Sequence, residues 1–243
     1  MKDKKKLVIS IFCVLSLMLI AVGVTYSIFT YTKQGDTKLY TIVNDANSNG
    51  TADIGDEITI GTESFYVISN DGTNINALAK YNLNVGDYAL TGTTGIQNAS
   101  AIGYPTSKNV TVPFSSDSQK GTNYSDYSGS IVEGYVNNYV TYLNTNNTGL
   151  NATGRLILKE ELETLGCSSS GYSYTKEELE TGYLSSGYPC TNAPSWVYST
   201  SYWSGSSFGT DFVWIVFSEG SFDGSDSSDV NYFGVRPVIT LES

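Results

Sequence analysis

The chain has 243 residues, of which 40% are hydrophobic and 13% aromatic, so it is long enough to bury one sizeable core. Its formal net charge is −11, and because residues 1–33 hold five lysines against one aspartate, the remainder carries −15. A body this acidic repels phosphate backbones, which argues against nucleic-acid binding. The sequence contains no histidine, so the commonest general base and the commonest transition-metal ligand are both missing.

An uncharged run from Leu7 to Ile28 follows a lysine-rich start. At about 1.5 Å per residue, a helix of this length crosses a hydrocarbon core about 30 Å thick. The pattern therefore predicts that residues 1–33 form a signal anchor with one transmembrane helix, and that the following domain is extracellular. The alternative is a cleaved secretory signal peptide, which would make the protein secreted.

Residues 34–56 are predicted to form a linker strand and a polar loop. From Asp45 to Asp56, oxygen-bearing side chains recur around Gly50 in the register of a calcium loop. The last position is aspartate instead of the usual bidentate glutamate, and any affinity would suit millimolar calcium. The alternative is a solvated turn that needs no metal. The predicted ligands are Asp45, Asn47, Asn49, Thr51 (through its carbonyl), Asp53 and Asp56.

On both sides of this loop, from Thr37 to Leu83, the pattern predicts β-strands rich in valine, isoleucine, tyrosine and phenylalanine. Asn70-Asp71-Gly72-Thr73 predicts a tight hairpin turn between two of these strands. Residues 84–129 are poor in aliphatic side chains, so we expect long surface loops there.

An amphipathic helix is predicted to begin at Ser130. The sequence Ser130-Ile131-Val132-Glu133 is a capping box, and apolar residues then recur at helical intervals to about Asn144. A second, shorter helix is predicted over 158–165, and Thr175 to Glu180 repeats the capping pattern. The glutamates of these short helices invite a glycosidase hypothesis, but solvated helix faces account for them.

Two cysteines, Cys167 and Cys190, lie in the part of the chain predicted to be exported. An even pair in an oxidising compartment predicts one disulfide, for which chain entropy gives roughly 3 kcal/mol. Cys13 lies inside the apolar run, where a small buried side chain is expected.

After Pro194 the sequence returns to strand patterns. Alternation from Phe212 to Val216 puts Val213 and Ile215 on one face and Trp214 on the other, which is typical of a central strand with two apolar faces.

Four segments, in order, carry a resemblance to a known family: SIVEGYVN at 130–137, LILKEELETLGC at 156–167, SYWS at 201–204 and GVRPVI at 234–239. Together they resemble bacterial cell-surface domains related to the C-type-lectin-like fold of formylglycine-generating enzymes and variable receptor proteins. The resemblance spans roughly Glu57 to Leu241. It implies an α+β fold class, in which residues 57–243 form a mixed domain of short antiparallel strands, one main amphipathic helix and long loops.

The resemblance also implies a ligand surface on the C-terminal strands and loops, with Arg236 buried as a structural tie. The enzymes of that fold need a reactive cysteine pair near the C-terminus, and no cysteine follows Cys190. We therefore expect a non-catalytic, membrane-anchored protein that binds an extracellular protein or a glycan. The alternatives are a structural subunit of the cell envelope or of a fibre, and an exported enzyme.

The residues predicted to contact this partner supply rigid aromatic area and polar groups. They are Tyr202, Trp203, Ser206, Phe208, Asp211, Phe212, Phe222, Asp223, Asp226, Asp229, Asn231 and Tyr232.

Overall fold

Two antiparallel sheets carry most of the fold. The computed structural model describes residues 39–86, 95–98, 100–102, 108–116, 125–168, 187–190 and 192–242. These fall within one compact unit, Lys38–Ser243.

The first sheet has six strands in the order β1-β2-β3-β4-β10-β5. β3 and β4 form the hairpin predicted at residues 70–73, where the Asp71 carboxylate accepts the backbone N–H groups of Thr73 and Asn74 at 2.8 and 2.6 Å. Gly72 supplies the positive φ of 84° that the turn needs. The strands are β1 (Thr41–Asn44), β2 (Glu57–Ile60), β3 (Glu63–Asn70), β4 (Asn74–Ala79), β5 (Thr153–Leu156) and β10 (Pro237–Glu242).

The second sheet has four strands in the order β6-β9-β8-β7. As the sequence predicted, β8 lies inside the sheet, between β7 and β9. The strands are β6 (Tyr188–Pro189), β7 (Tyr202–Ser207), β8 (Phe212–Val216) and β9 (Ser221–Asp226).

Two helices accompany the sheets in the described part of the chain: α1 (Ile131–Asn146) and α2 (Lys159–Thr164). The capping pattern before α1 is confirmed, because the Ser130 hydroxyl accepts the N–H of Glu133 at 3.1 Å. The Glu133 carboxylate in turn reaches back past the cap and accepts the N–H of Gly129 at 2.6 Å. The capping pattern at 175–180 lies outside the described residues.

The first sheet is apolar on both faces, and each face borders a different core. Phe65 and Val67 of β3 pack into a cluster with α1, whereas Ile68 packs into a second cluster with the disulfide and α2. Strand β8 links the two cores in the same way, because Val213 and Ile215 enter the first cluster and Trp214 enters the second. The alternation predicted for β8 is thus confirmed.

The predicted disulfide joins Cys167 to Cys190. Both cysteines are buried in the second cluster, beside α2 and β9. The bond closes a separation of 23 residues, for which chain entropy gives about 3 kcal/mol.

The predicted fold class, an α+β domain of the C-type-lectin-like type, is wrong. Among the described residues the fold is mostly β: two antiparallel sheets with two helices. The physical reason is that the strands pair over long range, as where β10 lies between β4 and β5, so that two sheets border both cores. Among the described helices, only α1 contributes a long apolar stripe to a core.

The predictions of a transmembrane helix and of a cell-membrane localisation are also corrected. No helix in the described part of the chain is long and apolar enough to span a bilayer. The longest, α1, has 16 residues, or about 24 Å of rise, and one face of it is polar. The run from Leu7 to Ile28, on which both predictions depended, lies outside the described residues.

Candidate functional site

Four of the predicted contact residues are core residues instead. Tyr202, Trp203 and Phe222 have no exposed surface, and Asp223 is 4% exposed. Trp203 donates its indole N–H to the Val112 carbonyl at 2.8 Å, inside the first cluster. Strand β7 borders a core on each side, with Tyr202 facing one core and Trp203 the other. Sequence composition does not reveal this burial, so it predicted these residues as ligand contacts.

A smaller set of these residues does reach the surface, at the end of the β7–β8 hairpin. Phe208 is 38% and Phe212 is 43% exposed. The Phe208 ring stands edge-on against Trp214, with centroids 4.6 Å apart, and occupies the space left by Gly224. Phe212 lies opposite Asp226 across the sheet. We call Phe208, Phe212 and Asp226 the hairpin end.

Three polar residues of the predicted contact set, Ser206, Asp226 and Asp229, take part in local structure. The Ser206 hydroxyl accepts the N–H of Lys159 at 2.9 Å and so ties β7 to α2. Asp226 and Asp229 each accept a backbone N–H two residues ahead, from Ser228 at 2.8 Å and from Asn231 at 3.0 Å. Burial raises the pKa of Asp229 and of Asp223. The other three positions are half-buried Asp211 and the exposed Asn231 and Tyr232.

The predicted calcium ligands converge in the loop between β1 and β2. Asn47 and Asn49 both donate to Oδ2 of Asp53 at 2.7 Å, and the Thr51 hydroxyl donates to the same oxygen at 3.2 Å. These hydrogen bonds lower the pKa of Asp53, with those from Asn47 and Asn49 contributing most. The Asp45 carboxylate caps the turn by accepting the N–H of Gly50 at 2.7 Å.

Asp56, the last predicted ligand, is only 1% exposed. Its two oxygens accept the N–H groups of Ala46 at 2.9 Å and Asp53 at 2.8 Å, so it closes the loop on itself. The Asn47 and Asn49 amide oxygens accept the N–H groups of Asn49 and Thr51 at 3.2 and 2.7 Å, so the amides could turn toward a cation only by giving up these bonds. The loop has carboxylate, amide and carbonyl oxygens, which are the ligands that a hard cation takes. No group of three or more histidine, cysteine, aspartate or glutamate side chains suited to a metal occurs in the described ranges.

The described part of the chain also has a recess that the sequence did not predict. It is an open cleft of about 460 Å³ beside β3 and β4. We call it the aromatic cleft, because four rings border it: Tyr66, Tyr81, Trp196 and Tyr198. Lys80 and the serines 195, 199 and 218 supply polar groups along the same lining. Aromatic walls with a few fixed polar groups are typical of ligand sites.

Two of these rings form a fixed stack. The Tyr66 and Trp196 rings lie 4.9 Å apart between centroids, with 16° between their planes. Tyr66 stands on β3, and Trp196 lies in the turn before β7, where the N–H of Val197 is donated to the Pro194 carbonyl at 2.9 Å. Both rings are half-buried, so each retains some open surface.

Arg236 holds the Trp196 turn in place from beneath. Its guanidinium donates to the carbonyls of Ala79, Val197 and Trp196 at 2.6, 2.9 and 2.9 Å. The side chain is fully buried and lies 5.1 Å above the Tyr202 ring. The predicted role of Arg236 as a buried structural tie is confirmed. Its side chain joins β4 to the turn that carries Trp196.

Lys80 is held at the rim by a salt bridge to Glu57 of 2.7 Å. Its ammonium also lies 5.8 Å from the centroid of Tyr66 and 5.9 Å from that of Tyr81. The hydrogen bond from Lys80 to Glu57 raises the pKa of Lys80, so the amine is charged at neutral pH. The cleft thus has one fixed cation at its rim.

Two of the α2 glutamates considered as catalytic candidates have structural partners. Arg155 binds Glu161 through two hydrogen bonds of 2.6 Å, and Lys159 pairs with Glu163 at 2.6 Å. Glu177, Glu178 and Glu180 lie outside the described residues.

No family model matches the chain, and no curated protein or solved structure matches it. The resemblance to C-type-lectin-like cell-surface domains therefore stays a prediction.

Proposed function

We propose that this protein is a non-catalytic binding protein that holds its ligand in the aromatic cleft. The observation that carries the proposal is the Tyr66–Trp196 stack, with a charged lysine beside it and a buried arginine fixing it from below. Unlike Trp203 and Phe222, which are fully buried, both rings of the stack keep part of their surface open to a ligand.

Preorganisation strengthens the proposal. Three hydrogen bonds from Arg236 and the bond from the Tyr202 hydroxyl to the Val197 carbonyl, at 2.8 Å, fix the turn that carries Trp196. A ligand that stacks on such a site loses little affinity to the ordering of the protein. The C-terminal region keeps a part in this site, because Ser218 in the β8–β9 turn lines the cleft.

Tryptophan fluorescence tests the proposal, since Trp203 and Trp214 are 0% and 7% exposed and Trp196 alone is half-buried. We would titrate the protein with three ligand classes: oligosaccharides, proline-rich peptides and basic peptides. At least one class is expected to give a saturable change in emission. In Y66L, which loses the stacked ring, that ligand should bind about tenfold more weakly.

The matched control is F212L, which removes an exposed ring at the hairpin end instead. F212L should bind like the wild type. The proposal fails if no ligand class gives a saturable change, or if F212L loses binding while Y66L keeps it. The first outcome favours a purely structural subunit, and the second moves the site to the hairpin end.

Calcium binding by the loop 45–56 is a second proposal, favoured by the convergence of Asn47, Asn49 and Thr51 on Asp53. At a calcium concentration tenfold above Kd, the folded state gains about 1.4 kcal/mol. The midpoint of thermal unfolding should then rise by about 3 to 5 °C. The double variant D45N/D53N should not respond, and an unchanged midpoint in the wild type at millimolar calcium would refute the proposal.

A further inference from the structure

Two cations lie at the aromatic cleft of a molecule whose formal net charge is −11. Among the described residues of the lining, Lys80 is the one that carries a charge, and Glu57 offsets it at 2.7 Å. Arg236 adds a second positive charge directly beneath the Trp196 turn. Lys80 and Arg236 thus place two cations at the cleft, against the carboxylates of Glu57 and of Glu219, which follows the lining residue Ser218.

The charge on Arg236 is not neutralised by a carboxylate. The three salt bridges among the described residues join other pairs, and the guanidinium is bound by neutral carbonyl oxygens. An arginine remains charged even when buried. In a fully buried position the surrounding water screens this charge weakly, so its field reaches the cleft, where Nη2 binds the Trp196 carbonyl.

The shape of the cleft also narrows the choice of ligand. Because the Tyr66 and Trp196 rings lie against each other at 4.9 Å, there is no slot between them for a proline ring. What they offer is flat aromatic surface beside hydroxyl groups. A sugar ring matches this surface, since its C–H groups pack on the electron-rich ring faces and its hydroxyls pair with serines.

We propose that the aromatic cleft binds an acidic carbohydrate, with a sugar ring packed on the Tyr66–Trp196 stack and its carboxylate directed to Lys80. This inference rests on the proposed binding function. It adds the chemical class of the ligand, a saccharide that carries negative charge.

Isothermal titration calorimetry with three probes tests this inference. They are an oligomer of galacturonic acid, an oligomer of galactose of equal length and a proline-rich peptide. The acidic oligomer should bind about tenfold more tightly than the neutral one at low salt, because it adds a charge-assisted hydrogen bond. Added salt should reduce this preference.

Two variants change the two members of the Lys80–Glu57 salt bridge separately, so each serves as the control for the other. K80Q removes the cation and should weaken binding of the acidic oligomer about tenfold, with the neutral oligomer unchanged. E57Q removes the competing carboxylate and should leave acidic binding as tight or tighter. Thermal unfolding of both variants establishes that each is folded.

The possible results distinguish a failure of the acidic-carbohydrate inference from a failure of the proposed binding function. Equal affinity for the acidic and neutral oligomers overturns the charge preference and leaves a saccharide site. Binding of the proline-rich peptide alone overturns the ligand class but keeps the binding function. Binding of none of the three overturns the ligand class, and the broader fluorescence panel then decides whether the binding function also fails.

Discussion

The aromatic cleft and the loop 45–56 are both well-organised polar sites, but they are held in different ways. The loop is fixed mainly by its own side chains, since Asp45, Asp53 and Asp56 accept hydrogen bonds from residues of the same loop. The cleft is fixed by contacts between distant segments, because Arg236 in the C-terminal region binds the carbonyls of Ala79 and Trp196. Local sequence therefore specifies the loop, and only the complete fold specifies the cleft.

The largest expected effect comes from breaking the tie beneath the cleft. In R236M the carbonyls of Ala79, Trp196 and Val197 lose a buried charged donor, which should lower the free energy of unfolding by about 4 kcal/mol. Urea unfolding measures the loss, and R236K, which retains a cation but not the planar fork, should be intermediate. If R236M lowers the free energy of unfolding by less than 1 kcal/mol, the turn around Trp196 is stable without Arg236.

A smaller effect is expected when the loop is broken. D56A leaves the N–H groups of Ala46 and Asp53 without their side-chain acceptor, which should cost about 2 kcal/mol in urea unfolding. D56N keeps one oxygen acceptor and should cost less. Because the loop is locally held, neither change should alter the emission of Trp196. A shifted emission would mean that the two regions are coupled.

The smallest effect concerns a second long-range tie, at the start of β3. Glu63 is 7% exposed, and its Oε2 accepts the Tyr139 hydroxyl at 2.8 Å and the N–H of Gln97 at 3.2 Å. Burial raises the pKa of Glu63 above the ordinary value of 4.5, despite these two hydrogen bonds.

Because the folded state resists ionisation of Glu63, stability should fall as the pH rises from 4.5 through the raised pKa. In E63Q this pH-dependent loss should disappear, while the bond from Tyr139 is kept. Unfolding midpoints of both proteins across the acidic range measure the difference. Parallel curves for the wild type and E63Q would contradict the assignment.

Features that depend on neighbouring residues could be predicted from the sequence. The Ser130 cap, the turn at Asp71 and the two faces of β8 each follow from a short pattern, and each is present. The fold class was predicted wrongly because sheet order depends on long-range pairing, such as β10 between β4 and β5.

The candidate site could be predicted only in part, for the same reason. The aromatic composition of the C-terminal segment does not reveal that Trp203 is buried while Phe208 is exposed. Nor does any local pattern bring Trp196 against Tyr66.

The central claim is that ligand binds at the Trp196 turn, and the indole N–H signals of the three tryptophans in an NMR titration test it most directly. Trp214 reports on the hairpin end, because the Phe208 ring lies 4.6 Å from it. With the galacturonic acid oligomer, the account predicts that the Trp196 signal moves and saturates while those of Trp203 and Trp214 stay fixed. Movement of the Trp214 signal with Trp196 unchanged would contradict the account.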